Sequence, residues 1–400
     1  MSIQASVGFS EGVDPYAVGV NACQDALNGI EGKRADAVIV FASVAYDQQK
    51  VLDGIRSVSG EAAIMVGAST AGEIVTSGPL NKHSVAVMLI KSDTLRFFAD
   101  IGKDVAAGPH AAGKAVAEAV KAKAGEPLKT FVMFPDILAG NGADIVRGVQ
   151  ESLGEHFPAV GGAAGDDFKF EKTYQYLNGM AYSGSVVGLG IAGDFKFGIG
   201  VKHGWLPVGL PRTVTKSSGS VLHELDGKPA IEIYEKYFGE EESKVLRTET
   251  LARLAITYPL GMRIEGSDEM LIRDPISVDE HGSITCAAEI PVGSEIQMMV
   301  GSREEAIAVA KEAAQNALNQ LEGAKPKAVI IFNCIARNKL FGEHSPEEIK
   351  AIQSVIGSDV PLIGFYTYGE QAPLGGEVRN IEQCKTAFHN ETVVICVLAE

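Results

Sequence analysis

One seven-residue pattern occurs twice in this chain and constrains its fold more than any other feature. The stretch GASTAGE, residues 67–73, and the stretch GFYTYGE, residues 364–370, both read Gly, two variable residues, Thr, one variable residue, Gly and Glu. Each comes at the end of an apolar run of the kind that forms a buried strand. A repeated strand end indicates that the chain is built from repeated units.

The residues around the two stretches predict the same order of elements. In the N-terminal part, a strand in ASVGFSE precedes a helix that begins at Asp14 and Pro15. DAVIVFAS, a helix in DQQKVLDGIRSVSG, AAIMVGAS and SVAVMLI follow. In the C-terminal part the order is EIQMMVGS, a helix after Ser302, KAVIIFNC, a helix in EEIKAIQSVIG, PLIGFYTYGE and ETVVICVLAE. Both parts predict a β-α-β-α-β-β unit of the α/β class, with mixed, largely parallel sheets.

A weaker third copy lies between these two units. Helices in AAGKAVAEAVKAK and ADIVRGVQESLG flank the strand TFVMFPD, and GGAAGDD takes the place of the repeated turn, with Asp166 instead of glutamate. Residues 201–295 break the pattern, because Pro and Gly interrupt short apolar runs, which favours an antiparallel β-rich segment. We predict an N-terminal domain, 1–200, with related halves of about 1–95 and 96–200. The predicted C-terminal domain, 201–400, consists of the β-rich segment 201–295 and an α/β unit 296–400.

Composition and charge limit the classes of partner. The net charge of −16 repels phosphate backbones and anionic lipid, so neither nucleic acid nor a membrane is a predicted partner. The N-terminus lacks the features of an export signal, and no apolar run reaches the roughly 18 to 20 residues of a membrane span, so we predict a cytoplasmic protein. The five cysteines are widely spaced and form no CxxC pattern, which is typical of thiols in a reducing compartment.

The repeated turns have the groups needed to bind a small polar molecule. Each combines a hydroxyl, backbone N–H groups and a carboxylate at a predicted sheet edge, a set that suits a ligand with an amine. The alternative is that Thr and Glu only close their own turn. Arg337 follows a strand toward the edge that carries Glu370, so the two could clamp an amino acid by its carboxylate and its ammonium. An ion pair of Arg337 with Glu370 or Glu343 is the alternative.

Catalytic and metal chemistry have weaker support. The chain contains no GxxxxGK[ST], HExxH or GxSxG motif, and GLGIAG at residues 188–193 is followed by a strand-like run instead of a helix. Cys334 at a strand end is a candidate nucleophile, but a structural thiol is favoured. Asp166 and Asp167 could bind a metal, although a solvated turn is favoured. His203 lies next to an apolar run and close to the single Trp, which suits an axial haem ligand, although an ordinary histidine is favoured.

Several stretches resemble those of one family. GASTAGEI, FNCIARNKLFGE and PLIGFYTYGEQAP resemble the signature stretches of the FIST domain, a two-part sensory module of bacterial signal transduction, and VKHGWLPVG and HELDGKPAIEIYEKYF resemble its central segment. Gln371 stands where the family pattern has an apolar residue. The resemblance implies a module that senses a small ligand, such as an amino acid, and relays to a separate protein such as a histidine kinase or a cyclic-dinucleotide enzyme. The chain also resembles the stand-alone branch that binds haem and senses nitric oxide.

The leading hypothesis is therefore a cytoplasmic sensory protein that is not an enzyme and needs no cofactor, with a homo-oligomer compatible with it. A haem-based nitric oxide sensor that contains haem b and regulates a histidine kinase is the alternative, with His203 as its candidate ligand from context only. An enzyme that uses Cys334 is less favoured. The predicted ligand contacts are Gly67, Ser69, Thr70, Gly72, Glu73, Asp166, Arg337, Thr367, Tyr368, Gly369 and Glu370.

Overall fold

The computed structural model describes residues 3–80, 83–239, 251–264, 269–376, 378 and 384–400. The elements of its first unit are β1 (Ile3–Glu11), α1 (Pro15–Asn28), β2 (Ala37–Ser43), α2 (Gln48–Ser59), β3 (Ile64–Thr70), β4 (Glu73–Val75), β5 (Gly78–Pro79) and β6 (Ser84–Ser92). The side chain of Asp14 accepts a hydrogen bond from Ala17 N at 3.0 Å, and Pro15 follows it. Helix α1 therefore begins where the sequence predicts.

The second unit repeats the order of the first. Its elements are β7 (Leu95–Gly102), α3 (Pro109–Ala124), β8 (Leu128–Pro135), α4 (Gly142–Leu153), β9 (Ala159–Gly162), β10 (Gln175–Leu177), β11 (Met180–Tyr182) and β12 (Val186–Gly193). The weak copy in the sequence is thus a complete unit. GLGIAG, residues 188–193, lies within β12, so it forms no turn before a helix.

The third unit begins with β13 (Lys196–Lys202) and is then interrupted by a β-rich segment. The described elements of that segment are β14 (Trp205–Ser218), β15 (Val221–Leu225), β16 (Lys228–Pro229), α5 (Glu232–Phe238), α6 (Leu251–Ala255), β17 (Leu260–Arg263), β18 (Met270–Arg273), β19 (Pro275–Val278), β20 (Ile284–Cys286) and β21 (Glu295–Gly301). The unit then continues with α7 (Arg303–Asn319), β22 (Pro326–Cys334), α8 (Ile335–Phe341), α9 (Ser345–Ile356), β23 (Leu362–Thr367), β24 (Glu370–Pro373), β25 (Thr386–His389) and β26 (Val393–Ala399).

The prediction that EIQMMVGS opens the last α/β unit was wrong. These residues form β21, which pairs antiparallel with β14 and β17 in the β-rich sheet. The first strand of the third unit is β13, which pairs antiparallel with β26. The long insertion separates β13 from helix α7 in the sequence, so the strand nearest to the helix along the chain is not its neighbour in the sheet.

Each unit forms a sheet and also gives a hairpin to the sheet of another unit. The strand orders are β1-β6-β2-β3-β10-β11, β7-β12-β8-β9-β24-β25 and β13-β26-β22-β23-β4-β5. Hairpin β4–β5 of the first unit therefore joins the sheet of the third unit. Hairpin β10–β11 of the second unit joins the sheet of the first, and hairpin β24–β25 of the third unit joins the sheet of the second. Repeated α/β units are confirmed.

The pairing within these sheets is mixed, as predicted, but less parallel than expected. In each of the three sheets one described pair is parallel, namely β2–β3, β8–β9 and β22–β23. The last strand of each unit returns between the first two strands, and a returning strand runs antiparallel to both. The exchanged hairpins add further antiparallel pairs.

The three sheets share one hydrophobic core. Phe41 of β2 lies 5.9 Å from Phe134 of β8, which lies 6.2 Å from Phe332 of β22, measured between ring centroids. Helix pairs α1 and α2, α3 and α4, and α7 and α9 cover the outer faces of the three sheets. The central strands are therefore buried on both faces, which explains why their sequences are continuous apolar runs.

The exchange crosses the domain boundary predicted at residues 200 and 201. Strand β4 of the N-terminal half pairs with β23 of the C-terminal half, and β5 pairs with β4. Strand β24 of the C-terminal half pairs with β9 of the N-terminal half. The division into residues 1–200 and 201–400 stays a prediction, but the sheets of these two halves are not separate. None of the helices in the described ranges is both long and apolar enough to cross a membrane.

Candidate functional site

The turns that follow β3, β9 and β23 meet at one place. Each strand is the third of its unit, and each turn leads toward the exchanged hairpin, which brings the backbones of the three turns together. The contacts are Gly165 N to Ser69 O at 2.9 Å, Ala71 N to Tyr366 O at 3.0 Å and Ala163 N to Gly369 O at 2.8 Å. The repeated sequence therefore forms a junction between the three units.

Glycine is required where this junction begins. Gly67 has a φ of +158°, and a Cβ atom at this position would lie 1.8 Å from the carbonyl oxygen of Val40. Gly72 has a φ of +129°, where other residues would be strained. The first glycine of the motif thus lets β2 and β3 approach, and the second lets the chain turn into β4.

The threonine and the glutamate of each repeated turn bind each other. Thr70 Oγ1 donates to Glu73 Oε1 at 2.5 Å, and Ser84 Oγ donates to the other carboxylate oxygen. In the third unit Thr367 Oγ1 donates to the Glu370 carboxylate, and Thr392 Oγ1 donates to it at 2.7 Å. In both copies the threonine and the glutamate therefore close their own turn, which was the alternative to contact with a ligand.

Burial brings the pKa of both glutamates close to physiological pH. It raises the pKa of Glu73 to about 7 and that of Glu370 to about 7, against the opposing effect of the hydroxyl hydrogen bonds. The charge of Asp167 contributes a further increase in the pKa of Glu73. Each carboxyl can therefore gain or lose a proton when a charged molecule comes close.

A cleft opens at the first of these turns. Its volume is about 940 Å³, at the upper end of the roughly 300–1,000 Å³ typical of small-molecule sites. Glu73 and Gly72 form part of its wall, whereas Thr367 and Glu370 do not line it. The residues that line the cleft are Glu11, Gly12, Val13, Ala45, Tyr46, Ala71, Gly72, Glu73, Leu80, His83 and Asp167.

One edge of the cleft holds a serine, a histidine and an aspartate. Ser43 Oγ donates to Asp167 Oδ2 at 2.8 Å and lies 2.9 Å from His83 Nδ1. Asp167 Oδ2 lies 3.5 Å from that same ring nitrogen. In a catalytic triad the carboxylate and the hydroxyl contact opposite nitrogens of the ring, so this arrangement binds the edge together without forming a triad.

Sequence patterns did not identify the group at this edge, because strand pairing within the first unit and the contact with the second unit bring its members together. The single proton of the Tyr46 hydroxyl, for example, is shared between His83 O at 2.8 Å and Gly12 O at 3.1 Å, which joins the end of β1 to the start of β6. The one available signal was the acidic pair Asp166-Asp167, which we interpreted as a solvated turn.

The two aspartates have different surroundings. Asp166 accepts hydrogen bonds from the backbone N–H groups of Phe170 at 2.8 Å, Glu171 at 2.6 Å and Lys172 at 2.9 Å, and also from the hydroxyl of Tyr368. These bonds lower the pKa of Asp166 against the effect of its burial. Asp166 and Tyr368 thus hold a loop, while Asp167 reaches the cleft.

Arg337 does not face the junction as the sequence suggested. The buried guanidinium binds Glu348 Oε1 through Nη2 at 2.6 Å and through Nε at 2.9 Å. It also donates to the carbonyl oxygens of Ala306, at 2.9 Å, and His203. The ion-pair partner is therefore Glu348 rather than Glu370 or Glu343, because helix α8 turns Arg337 toward helices α7 and α9.

The surroundings of His203 do not fit an axial haem ligand. Its Nδ1 accepts a hydrogen bond from Trp205 N at 3.0 Å, so the proton of the neutral ring is on Nε2. A ligating Nε2 must be free of its proton, with Nδ1 donating instead. Burial and the nearby charge of Arg337 lower the pKa of His203 to about 3, which keeps the ring neutral.

The candidate nucleophile Cys334 lies in the interior. Burial raises the pKa of its thiol well above the usual range, and the charges of Glu370 and Glu391 raise it further. A thiol with a raised pKa is a poor nucleophile. The absence of enzymatic activity stays a prediction.

The fold and the cleft define an α/β protein with a site for a small molecule, and comparison with known families identifies its class. The FIST N domain matches residues 36–228, and the FIST C domain matches residues 230–373. The chain belongs to the FIST family, whose domains are sensory domains of signal transduction.

The chain is also similar to two curated proteins from different organisms, both of them uncharacterised proteins. A protein of Mycobacterium tuberculosis strain H37Rv is 25% identical over 222 residues, which cover 54% of this chain and 56% of the relative. A protein of Methanocaldococcus jannaschii is 26% identical over 236 residues, or 53% of this chain and 44% of that protein. The matches span about half the length of these relatives.

Solved structures show only distant likeness. A cyanuric acid hydrolase from A. caulinodans aligns over 100% of both chains with 8% identity and a TM-score of 0.40. A phosphoribosylformylglycinamidine synthase II from Thermotoga maritima aligns over 99% of this chain and 72% of its own, with 11% identity and a TM-score of 0.23.

Proposed function

We propose that this protein binds a small molecule with an amine in the cleft at Gly72 and Glu73, and that it relays binding to a separate signalling protein. The observation that carries the proposal is the position of Glu73. It is the acidic residue of the repeated turn in the first unit, and it forms part of the wall of a cleft of about 940 Å³. An ammonium group in this cleft stabilises the ionised form of the buried carboxyl group.

The two glutamates of the repeated turns have different roles in this proposal. Both side chains are buried and each is bonded to two hydroxyl groups. Glu73 contacts the ligand because it lines the cleft, whereas Glu370 does not line it and stabilises the junction. Four of the predicted contact residues do not line the cleft and instead support the turns next to it, namely Gly67, Ser69, Thr70 and Asp166. The ligand contact predicted for Arg337 is not retained, since Glu348 and backbone carbonyls occupy its guanidinium.

The relay rests on the family. FIST domains are sensory domains of signal transduction, so a bound ligand has to change a contact with another protein. A histidine kinase or a cyclic-dinucleotide enzyme in the cytoplasm is the partner that we propose. Haem-based sensing of nitric oxide remains an alternative prediction, with no support from the geometry of His203.

Isothermal titration calorimetry with a panel of primary amines and amino acids tests the ligand site. Glu73→Gln should weaken the binding of an amine by about 10- to 100-fold, the value of a charged hydrogen bond of about 1.5–3 kcal/mol. Glu370→Gln is the matched control, because it alters the equivalent side chain outside the cleft. Thermal unfolding of both variants checks that they fold.

Two outcomes would contradict the proposal. One is equal affinity of the wild type and Glu73→Gln for every amine that binds. The other is a selective loss of affinity in Glu370→Gln, which would place the ligand at the third unit.

A further inference from the structure

We infer that the ligand of this cleft is a linear diamine or a longer polyamine, with at least two positive charges and no carboxylate. This inference rests on the proposed function and narrows the class of amine. The lining includes three carboxylates from three separate parts of the chain: Glu11 at the end of β1, Glu73 at the start of β4 and Asp167 after β9.

The first ammonium group belongs near Glu73 and Asp167. Glu73 and Asp167 both line the cleft, and the repulsion between their charges contributes to the raised pKa of Glu73. Asp167 is held in place by its hydrogen bond from Ser43 Oγ at 2.8 Å. A cation next to both carboxylates removes this repulsion, and each carboxylate can accept one of its hydrogen bonds.

The second ammonium group belongs near Glu11. Tyr46 lies between the two acidic regions, since its hydroxyl contacts the carbonyl oxygen of His83, and the next residue, Ser84, binds the Glu73 carboxylate. The hydroxyl of Tyr46 donates to Gly12 O, the residue after Glu11. A cleft of about 940 Å³ has room for a chain that reaches from one acidic region to the other.

A carboxylate on the ligand would be repelled by the acidic side chains of the cleft. Among the described residues that line the cleft there is no Lys or Arg. Arg337, which the sequence offered for a ligand carboxylate, is bound to Glu348. The whole chain carries a net charge of −16, which attracts cations and repels anions at a distance.

Three compounds of matched length separate the possibilities: 1,5-diaminopentane, pentylamine and lysine. Lysine differs from the diamine only by its carboxylate, and pentylamine lacks the second ammonium. In calorimetry of the full chain at pH 8 and low ionic strength, we expect the diamine to bind about fivefold more tightly than pentylamine, as for one exposed ion pair. Lysine should bind at least about tenfold more weakly than the diamine.

Glu11→Gln should reduce the diamine to the affinity of pentylamine and leave pentylamine unchanged. Glu118→Gln, which removes one exposed carboxylate from helix α3 in the second unit, is the control for net charge and should change none of the affinities. Far-UV circular dichroism confirms that both variants fold.

The outcomes distinguish this inference from the proposed function. If lysine binds as tightly as the diamine, or Glu11→Gln leaves the diamine's advantage intact, the inference is overturned while the amine site stands. If none of the three compounds binds the wild type, the inference is overturned and the proposed function loses its support as well.

Discussion

Glu73 and Glu370 occupy the same position in two copies of one turn, and their surroundings differ because of the residues that follow. Ser84 and Thr392 each donate a hydrogen bond to the glutamate of their unit. The side chain before Ser84 is His83, which is 63% exposed. The residue before Thr392 is Glu391, which is 0% exposed. The same motif therefore borders a cleft in the first unit and the interior in the third.

The raised pKa of Glu73 makes ligand affinity depend on pH. An ammonium ion prefers the ionised carboxyl, so the free energy of binding includes the cost of removing a proton below the pKa of about 7. The affinity for an alkylamine should rise about tenfold between pH 6 and pH 8 and change little above pH 8. In Glu73→Gln the profile should be flat over this range.

Calorimetry in two buffers with different ionisation enthalpies measures this effect, because it also counts the protons released. A profile that is identical in the wild type and Glu73→Gln would show that another group titrates.

Helix α8 shows how an element can place a residue away from its predicted site. Arg337 comes three residues after the end of β22. Helix α8 begins at Ile335, and its first turn directs the side chain of Arg337 into the interior. There the guanidinium joins Glu348 of helix α9, Ala306 of helix α7 and His203 after β13. The guanidinium thus connects the third unit to the start of the β-rich segment.

Removing one side of this pair should destabilise the protein without a selective effect on ligand binding. Arg337→Met leaves the Glu348 carboxylate buried without its ion pair, at a cost of about 3–5 kcal/mol in the free energy of unfolding. The double variant Arg337→Met/Glu348→Leu should recover a large part of that loss. Urea unfolding followed by circular dichroism measures both. A stable Arg337→Met protein that no longer binds amines would restore the clamp predicted from the sequence.

The sequence predicted the elements well and their partners less well. Apolar runs such as AVIVFAS identified β2, and the capping pattern at Ser302 identified the start of helix α7, where Ser302 Oγ accepts from Glu305 N at 3.2 Å. These signals depend only on neighbouring residues in the chain, so they can be read without knowledge of the fold. Strand β13 and the hairpins were misplaced or missed, because pairing across more than 100 residues leaves no periodicity in the chain.

The candidate site shows the same limit. Glu73 and Gly72 stood out because their pattern recurs at residues 369 and 370. Asp167, His83 and Tyr46 did not. The pairing of β2 with β6 brings Tyr46 and His83 together within the first unit, and the contact between the first and second units adds Asp167. A repeated motif thus identified part of the wall of the cleft, and the fold supplied the remainder.

At the scale of the whole molecule, the three units are interlocked. Every unit lends a hairpin to another and receives one, and the inner faces of their sheets form one core. A sheet without its borrowed hairpin exposes an unpaired edge and apolar side chains. Folding of one unit is therefore tied to folding of the other two.

Fragments test this interdependence. Residues 1–194 contain the first two units but lack the β24–β25 hairpin, and their β4–β5 hairpin has no sheet to join. We expect this fragment alone to show no cooperative urea transition by circular dichroism, and mixing it with residues 195–400 to restore one. A cooperative transition of the isolated fragment, with a slope in proportion to its size, would show that the two units fold independently.

We expect the ligand to bind at the turn of the first unit and at neither of its two counterparts. A crystal structure of the chain with 1,5-diaminopentane tests this most directly. We expect an ammonium nitrogen within hydrogen-bond distance of Glu73 or Asp167. A diamine ordered at Thr367 and Glu370, or next to His203, would contradict the claim.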